Sequence, residues 1–399
     1  MTVGALPDAS SSAGGVEAGT RPARVAIVTN DLHPYGAERV AVAIAETLRS
    51  TFGVGCEMTS LGGGELAVPL RRSIPVHTLG VQWTSAFRDV APVAYAMRAR
   101  GFRHAIVNTV VCGDAAAVFR RMGYAVLGLV HEMPGLIRTH GIERRLASMH
   151  EHAHAVVYPD EEVYRRNETE LGPLPRAASV SYLPQGLVRR NAWRDRPGAA
   201  RAEAGRLLGL PPDWPIVLAV GLGDERKGLD HFLAVARIVN ERRTRPCAFV
   251  WIGRVDDEYR ASLASGGQWP DPMPGYLRLP GYVPDTAVFH RAADVFALTS
   301  REDPFPNVVL ESMDAGVPVV AFAGTGGGAR LAATVPGRAV PAFAREAYAR
   351  AIEDLLGDEG ARRTAGASAA RVVDASYSFE AYAGRLLEVL AGMRVDDAR

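Results

Sequence analysis

Thr299-Ser300-Arg301-Glu302-Asp303-Pro304-Phe305-Pro306-Asn307-Val308-Val309-Leu310-Glu311-Ser312-Met313-Asp314-Ala315-Gly316-Val317 is the stretch from which the remainder of this 399-residue chain can be read. Before it, Ala293-Asp294-Val295-Phe296-Ala297-Leu298 is a β-branched and aromatic run that predicts a strand. After it, Val317-Pro318-Val319-Val320-Ala321-Phe322 predicts another. Pro304 and Pro306 cannot lie inside a helix but can precede or open one. Gly316 supplies a left-handed stop and Pro318 blocks continuation. A helix from about Asn307 to Ala315 therefore links two strands in a βαβ unit.

Asp303 and Glu311 bracket the start of that helix. A helix N-terminus carries unpaired N–H groups and a partial positive charge, which suit a phosphate. Carboxylates are acceptors and suit sugar hydroxyls. The bland alternative makes Asp303 a simple cap and Glu311 a solvated side chain. The whole string resembles the signature of retaining GT-B glycosyltransferases of family 4, where two acids flank a seven-residue spacer ahead of a Gly-x-Pro. Asp303 takes the first acidic position of that signature and Glu311 the second.

In the first half, Val25-Ala26-Ile27-Val28 reads as a buried parallel strand. A helical pattern from Ala37 to Leu48 follows, with Val40, Ile44 and Leu48 at four-residue steps. Gly36 at the turn between them lets a backbone approach a ligand closely; the resemblance implies a donor-facing glycine loop there, with Tyr35 in place of a first glycine. Further strands are predicted at 55–61, 76–79, 105–108, 126–129 and 155–158, the alternation of an α/β doubly wound domain. His131-Glu132 closes one strand, where open parallel sheets place ligands. Either residue can be structural; the resemblance implies sugar contact by His131, with Glu132 beside it. His150, His152 and His154 would fan around a helix rather than face one metal, and read as surface or interdomain residues. Tyr182-Leu183-Pro184-Gln185-Gly186-Leu187 resembles a strand-to-linker turn.

In the second half, Pro215 to Val220 reads as a buried strand and Leu229 to Val239 as a helix. Between them runs Gly221-Leu222-Gly223-Asp224-Glu225-Arg226-Lys227-Gly228. Lys227 is the only lysine among 45 basic residues. Alone, such a residue reads as a solvated loop charge. Two adjacent cations at a helix start can also neutralise a diphosphate, Lys227 as a point charge and Arg226 as a fork. The resemblance implies that role. It also implies that the backbone around Val283, after the strand near Leu277, reads a nucleobase edge. Gly324-Thr325-Gly326-Gly327-Gly328 is implied to approach the donor by its backbone, and Asn307 and Val308 to supply amides. Helices are predicted at 347–356, 361–373 and 378–393.

The chain is 48% apolar and 22% charged with a formal charge of +1, which gives no electrostatic case for nucleic acid. Cys56, Cys112 and Cys247 show no metal spacing, and three scattered thiols suit a reducing cytoplasm. No apolar run approaches the roughly 18 residues of a membrane span. Arg88, Arg98, Arg100, Arg103, Arg120 and Arg121 form either a solvated surface or a basic face for peripheral membrane contact.

The expected architecture is α/β, a GT-B arrangement of two doubly wound Rossmann-like domains facing each other across a cleft. Residues 1–20 read as a disordered tail, 21–187 as an acceptor-side domain, 188–209 as a linker and 210–376 as a nucleotide-sugar domain. Residues 377–399 read as a helix crossing back to the first domain. The resemblance implies retaining transfer from a nucleoside diphosphate sugar, UDP or GDP, to a hydroxyl- or amine-bearing acceptor, either a small natural product or cyclitol, or a glycolipid or polysaccharide. No metal or cofactor is expected. Three rivals remain: a sugar-nucleotide 2-epimerase of the same fold, a non-catalytic sugar-nucleotide binder, and an NAD-dependent oxidoreductase read from Gly324 to Ala329 with Glu346 as its acid.

Overall fold

Runs such as Val25-Ala26-Ile27-Val28 and Phe249-Val250-Trp251-Ile252 have no polar face, so their strands must be covered on both sides. The computed structural model, which describes residues 21–80, 87–176, 178–334 and 338–395, covers them with helices. The expected tail at 1–20 lies outside the described residues.

The first sheet contains β1 (Arg24–Thr29), β2 (Gly55–Ser60), β3 (Val76–Thr78), β4 (His104–Asn108), β5 (Ala125–Leu129), β6 (Ala155–Tyr158) and β7 (Ser179–Tyr182). Its order is β3-β2-β1-β4-β5-β6-β7, parallel throughout. The second contains β8 (Ile216–Val220), β9 (Ala248–Ile252), β10 (Leu277–Gly281), β11 (Val295–Leu298), β12 (Val319–Phe322) and β13 (Arg338–Val340). It runs β10-β9-β8-β11-β12-β13, again parallel. Two strands that the apolar patterning does not mark, β7 and β13, are short edge strands. An edge strand buries less, so its pattern is weak.

Both sheets reverse order beside their first strand, β1 against β4 and β8 against β11. Ligands of open α/β sheets bind at such points, beyond the carboxyl ends of the strands. The loop carrying Lys227 leaves β8 and the loop carrying Asp303 leaves β11, so neighbours in the sheet bring together residues far apart in sequence.

Residues 188–209 contain the helix Pro197–Leu208, whose Ala200, Ala204 and Leu208 pack into the second domain's core. Fully buried Asp314 fixes the preceding segment, accepting from Arg190 (2.7 Å), Arg194 (2.9 Å) and the Asn191 N–H (2.7 Å). This stretch is therefore clamped to one domain. The helix Phe379–Ala391 returns to the first domain, where Tyr382, Leu386 and Leu390 pack with Ile27, Val40 and Ile44.

Candidate active site

Proline at the N-cap of the helix Asn307–Asp314 has no side chain that can cap it. The helices Gly36–Ser50 and Leu229–Arg242, after Tyr35 and Gly228, likewise start without a side-chain cap hydrogen bond. The amide ends of the first two face each other across the cleft. Asn307 Nδ2 donates to the Gly36 carbonyl at 3.4 Å, and its Oδ1 accepts from Gln185 Nε2. Gln185 also donates to the Phe305 carbonyl at 2.9 Å. Anion-seeking N–H groups of both domains thus converge.

Lys227 lies against the loop that leads into the helix Asn307–Asp314. Its Nζ is 2.6 Å from Asp303 Oδ2, with the lysine side chain 18% and the aspartate 4% exposed. Asp303 Oδ2 also accepts from Ser300 Oγ at 3.1 Å. Burial pushes the Lys227 ammonium below the usual lysine range; the Asp303 carboxylate opposes that shift and neighbouring Arg226 adds to it. Three backbone contacts fix the acid loop, one on the cation loop and two on the glycine turn after β12. The Arg301 N–H donates to the Arg226 carbonyl (2.7 Å), the Asp303 N–H to the Thr325 carbonyl (2.8 Å) and the Gly327 N–H to the Pro304 carbonyl (3.0 Å). The glycine turn after β12 is therefore the floor under Asp303.

Buried Asp230 braces the cation loop from behind. It accepts two hydrogen bonds from Arg301, at 2.7 and 2.8 Å, one from Arg345 at 2.8 Å and one from the Tyr259 hydroxyl at 2.8 Å. Despite burial, which alone would raise it, this network holds the Asp230 carboxyl well below its ordinary range.

Glu311 sits about one turn into its helix beside His290. His290 Nε2 is 3.3 Å from Glu311 Oε2, within charge reach but too poorly aligned to count as a hydrogen bond. Burial raises the Glu311 carboxyl, and the His290 ring, with Arg39 of the first domain adding, outweighs it, so the net shift is downward. Val308 and Val283 are partly buried against the second core.

On the facing domain, His131 Nε2 is 2.9 Å from Asn108 Oδ1. Asn108 Nδ2 donates to Thr29 Oγ1 and to the Ala37 carbonyl, which fixes the amide so that its oxygen meets the ring. Nε2 then carries the proton and Nδ1 is the ring's acceptor. Burial lowers the His131 pKa to about 4, so the ring is neutral at physiological pH. Glu132 points inward and is occupied, accepting from the N–H groups of Val110 (3.1 Å) and His131 (2.8 Å). Burial still raises its pKa to about 7. Its geometry is that of a bracket for His131 rather than of a substrate contact.

Sequence patterning gave no sign of Glu38. It lies in the first turn after Gly36, 6% exposed, and burial together with the charges of Asp31 and Glu132 raises its pKa to about 8. Folded chains therefore keep this proton to about pH 8, while an unfolded glutamate releases it near 4.5. The stabilisation is complete below about pH 4.5 and is lost as pH rises through 8. Glu38→Gln should accordingly melt higher than wild type at pH 9 and little differently at pH 4, by differential scanning calorimetry. A parallel offset at both pH values would contradict this.

The histidine run departs from expectation. His150 is 1% exposed and bonds the Tyr158 hydroxyl at 2.8 Å, inside the first core rather than at its surface. Among the described residues no group of three or more His, Cys, Asp or Glu is arranged to hold a metal. Glu346, the acid of the dinucleotide pattern, opens the helix Arg345–Gly357 and pairs with Arg242 rather than ending a strand. Of the arginines read as a possible basic face, Arg100 pairs with Glu57 at 2.5 Å and Arg98 lies over the Tyr124 ring at 5.7 Å. No helix among the described residues is long and apolar enough to cross a membrane.

Residues 214–358, which hold this cation loop and acid helix, match the family described as glycosyl transferases group 1. The likeness to that family covers the second domain. It is 30% identical over 188 residues to the lipopolysaccharide core biosynthesis glycosyltransferase LpsE of Rhizobium meliloti, covering 46% of this chain and 52% of that protein. To a D-inositol 3-phosphate glycosyltransferase of Thermobispora bispora it is 31% identical over 211 residues, 51% of this chain and 48% of the relative. The chain thus matches about half the length of these two curated relatives. A longer match, 26% over 366 residues and 85% and 82% of the two chains, is to a GDP-mannose-dependent alpha-(1-6)-phosphatidylinositol monomannoside mannosyltransferase of Mycobacterium tuberculosis. Among solved structures, Anabaena Alr3699/HepE in complex with UDP and glucose superposes with a TM-score of 0.75 at 18% identity, covering 92% of this chain and 99% of that one. The fold of the chain is GT-B.

Proposed function

We propose that the protein transfers a hexose-type unit from a nucleoside diphosphate sugar to a hydroxyl- or amine-bearing acceptor, with retention at the anomeric carbon. The observation that carries this reading is the Lys227–Asp303 pair at the mouth of the second sheet, beside the uncapped helix Asn307–Asp314. Departure of a nucleoside diphosphate breaks the bond between the anomeric carbon and the phosphate oxygen, and both electrons stay on that oxygen. Lys227, Arg226 and the amides from Asn307 onward are preorganised cations and donors for the charge that develops. Asp303, relieved of part of its pairing by the phosphate, accepts from sugar hydroxyls. Glu311 accepts from the ribose, and neutral His131 contacts the sugar from the facing domain. In front-face attack the acceptor hydroxyl bonds to the anomeric carbon and its proton passes to the departing phosphate oxygen.

The donor class we favour is UDP- or GDP-linked. The relatives include a lipopolysaccharide core biosynthesis glycosyltransferase, a D-inositol 3-phosphate glycosyltransferase and a phosphatidylinositol monomannoside mannosyltransferase, which keeps both small polyols and glycolipids in view. Thermal melting with UDP-, GDP-, ADP- and dTDP-sugars, followed by an acceptor-free hydrolysis assay, tests the reading. One nucleotide class should raise the melting temperature with concentration by mass action and be hydrolysed slowly. Absence of any shift and of any hydrolysis would sink it.

A further inference from the structure

Glu302 stands immediately before Asp303, and no role above uses it. Its side chain, 15% exposed, reaches out of the second domain. Oε2 accepts from the Gly135 N–H at 3.0 Å and Oε1 pairs with Arg166 at 2.8 Å. Both partners belong to the first domain. Gly135 lies in the first turn of the helix Pro134–His140, just beyond His131. Arg166 is itself braced by Glu170 at 2.8 Å. The backbone carbonyl of Glu302 accepts from Arg226 at 3.2 Å. One residue therefore touches the loop of His131 with its side chain and the cation loop with its backbone.

Gly135 supplies a second observation. Its φ is not positive, so the backbone does not require glycine there. A Cβ at Gly135 would lie 2.4 Å from Glu302 Oε2, so a carboxylate held by Arg166 reaches that N–H only because no side chain intervenes. Other bridges cross the same seam, among them Arg330 to Asp160 and Gln185 to the Phe305 carbonyl. Those bridges do not touch the segment that carries His131.

We propose that Glu302 is the positioning residue for domain closure, its carboxylate seated on the Gly135 N–H and Arg166 so that His131 keeps a fixed register against Lys227 and Asp303. The bonds are charge-assisted and partly shielded from solvent, which makes them directional rather than merely attractive. The consequence for rate rests on the transferase reading above; the closure itself does not.

Spin labels at Arg72→Cys and Glu241→Cys, exposed sites on the two domains, would report their separation, since the three native cysteines are buried. Ligand-free wild type should show a narrow distance distribution. Glu302→Ala should broaden it toward longer distances. Glu302→Gln should restore much of it, because an amide oxygen still accepts from Gly135. Gly135→Ala should mimic Glu302→Ala without unfolding, alanine being the better helix former. With a sugar nucleotide that wild type hydrolyses, Glu302→Ala should lower kcat roughly ten- to a hundredfold. Its affinity for the nucleoside diphosphate should be unchanged. A wild-type distance distribution in Glu302→Ala overturns the proposal, and so does an equal loss of nucleotide affinity. If wild type neither binds nor hydrolyses any sugar nucleotide, the transferase reading fails while the ligand-free distances still decide the role of Glu302.

Discussion

Lys227→Ala is expected to lower sugar transfer by about a hundred- to a thousandfold at saturating donor, the loss typical of one preorganised donor to a developing anion. Lys227 is the chain's only lysine, and its ammonium is the cation paired with Asp303 at 2.6 Å. Removing it also strands a buried carboxylate, so some loss of stability accompanies the loss of rate. Lys227→Met keeps the aliphatic stem and separates the two effects: its melting point should stay nearer wild type while its turnover falls as far. Lys227→Arg should rescue poorly, because a planar fork does not occupy the place of a compact ammonium. The measurement is kcat for acceptor-free hydrolysis beside a melting curve for each variant. Full turnover in Lys227→Met would remove the phosphate role.

Gly228→Ala is expected to cost about 2–5 kcal/mol of stability, combining a left-handed backbone penalty with overpacking. Gly228 has φ +72°, and a Cβ there would lie 2.1 Å from the Thr299 carbonyl oxygen. That oxygen is backbone and cannot swing aside. Thr299 and Lys227 are already tied, Thr299 Oγ1 donating to the Lys227 carbonyl at 3.1 Å, so the strain falls on the seam between the cation loop and the acid loop. Melting should drop by several degrees, and transfer should fall with it as Lys227 moves from Asp303. Gly357→Ala is the control: it has no positive φ and nothing within 4 Å of its would-be Cβ, so it should melt like wild type. Equal melting of the two variants would show that the approach of Gly228 to Thr299 is not needed.

Much of the molecule is legible in its sequence. The helix expected from Asn307 to Ala315 spans Asn307–Asp314, and the one expected from Leu229 to Val239 spans Leu229–Arg242. Apolar spacing and proline or glycine stops act within a few residues, so a linear reading captures them. The pairing of Lys227 with Asp303 was only implied, through resemblance, as two parts of one donor site. Their direct contact follows from β8 and β11 being neighbours, which no local pattern states. Glu132 illustrates the opposite case. A strand-end acid beside a histidine reads as a ligand, yet its oxygens are taken by the N–H groups of Val110 and His131. Burial of that kind leaves no trace in spacing.

By itself the sequence determined the two alternations of strand and helix, the loops at their strand ends and the singular position of Lys227, because periodicity, breaker residues and composition are local properties. Tertiary structure alone decided which charges meet. Glu302 reaches Gly135 across 167 residues, Arg166 across 136, and Asp303 reaches Lys227 across 76. The first two partnerships are chosen by the closure of two independently wound sheets and the third by the adjacency of β8 and β11 within one sheet, and hydrogen bonds at about 3 Å exist only once those contacts have fixed their geometry.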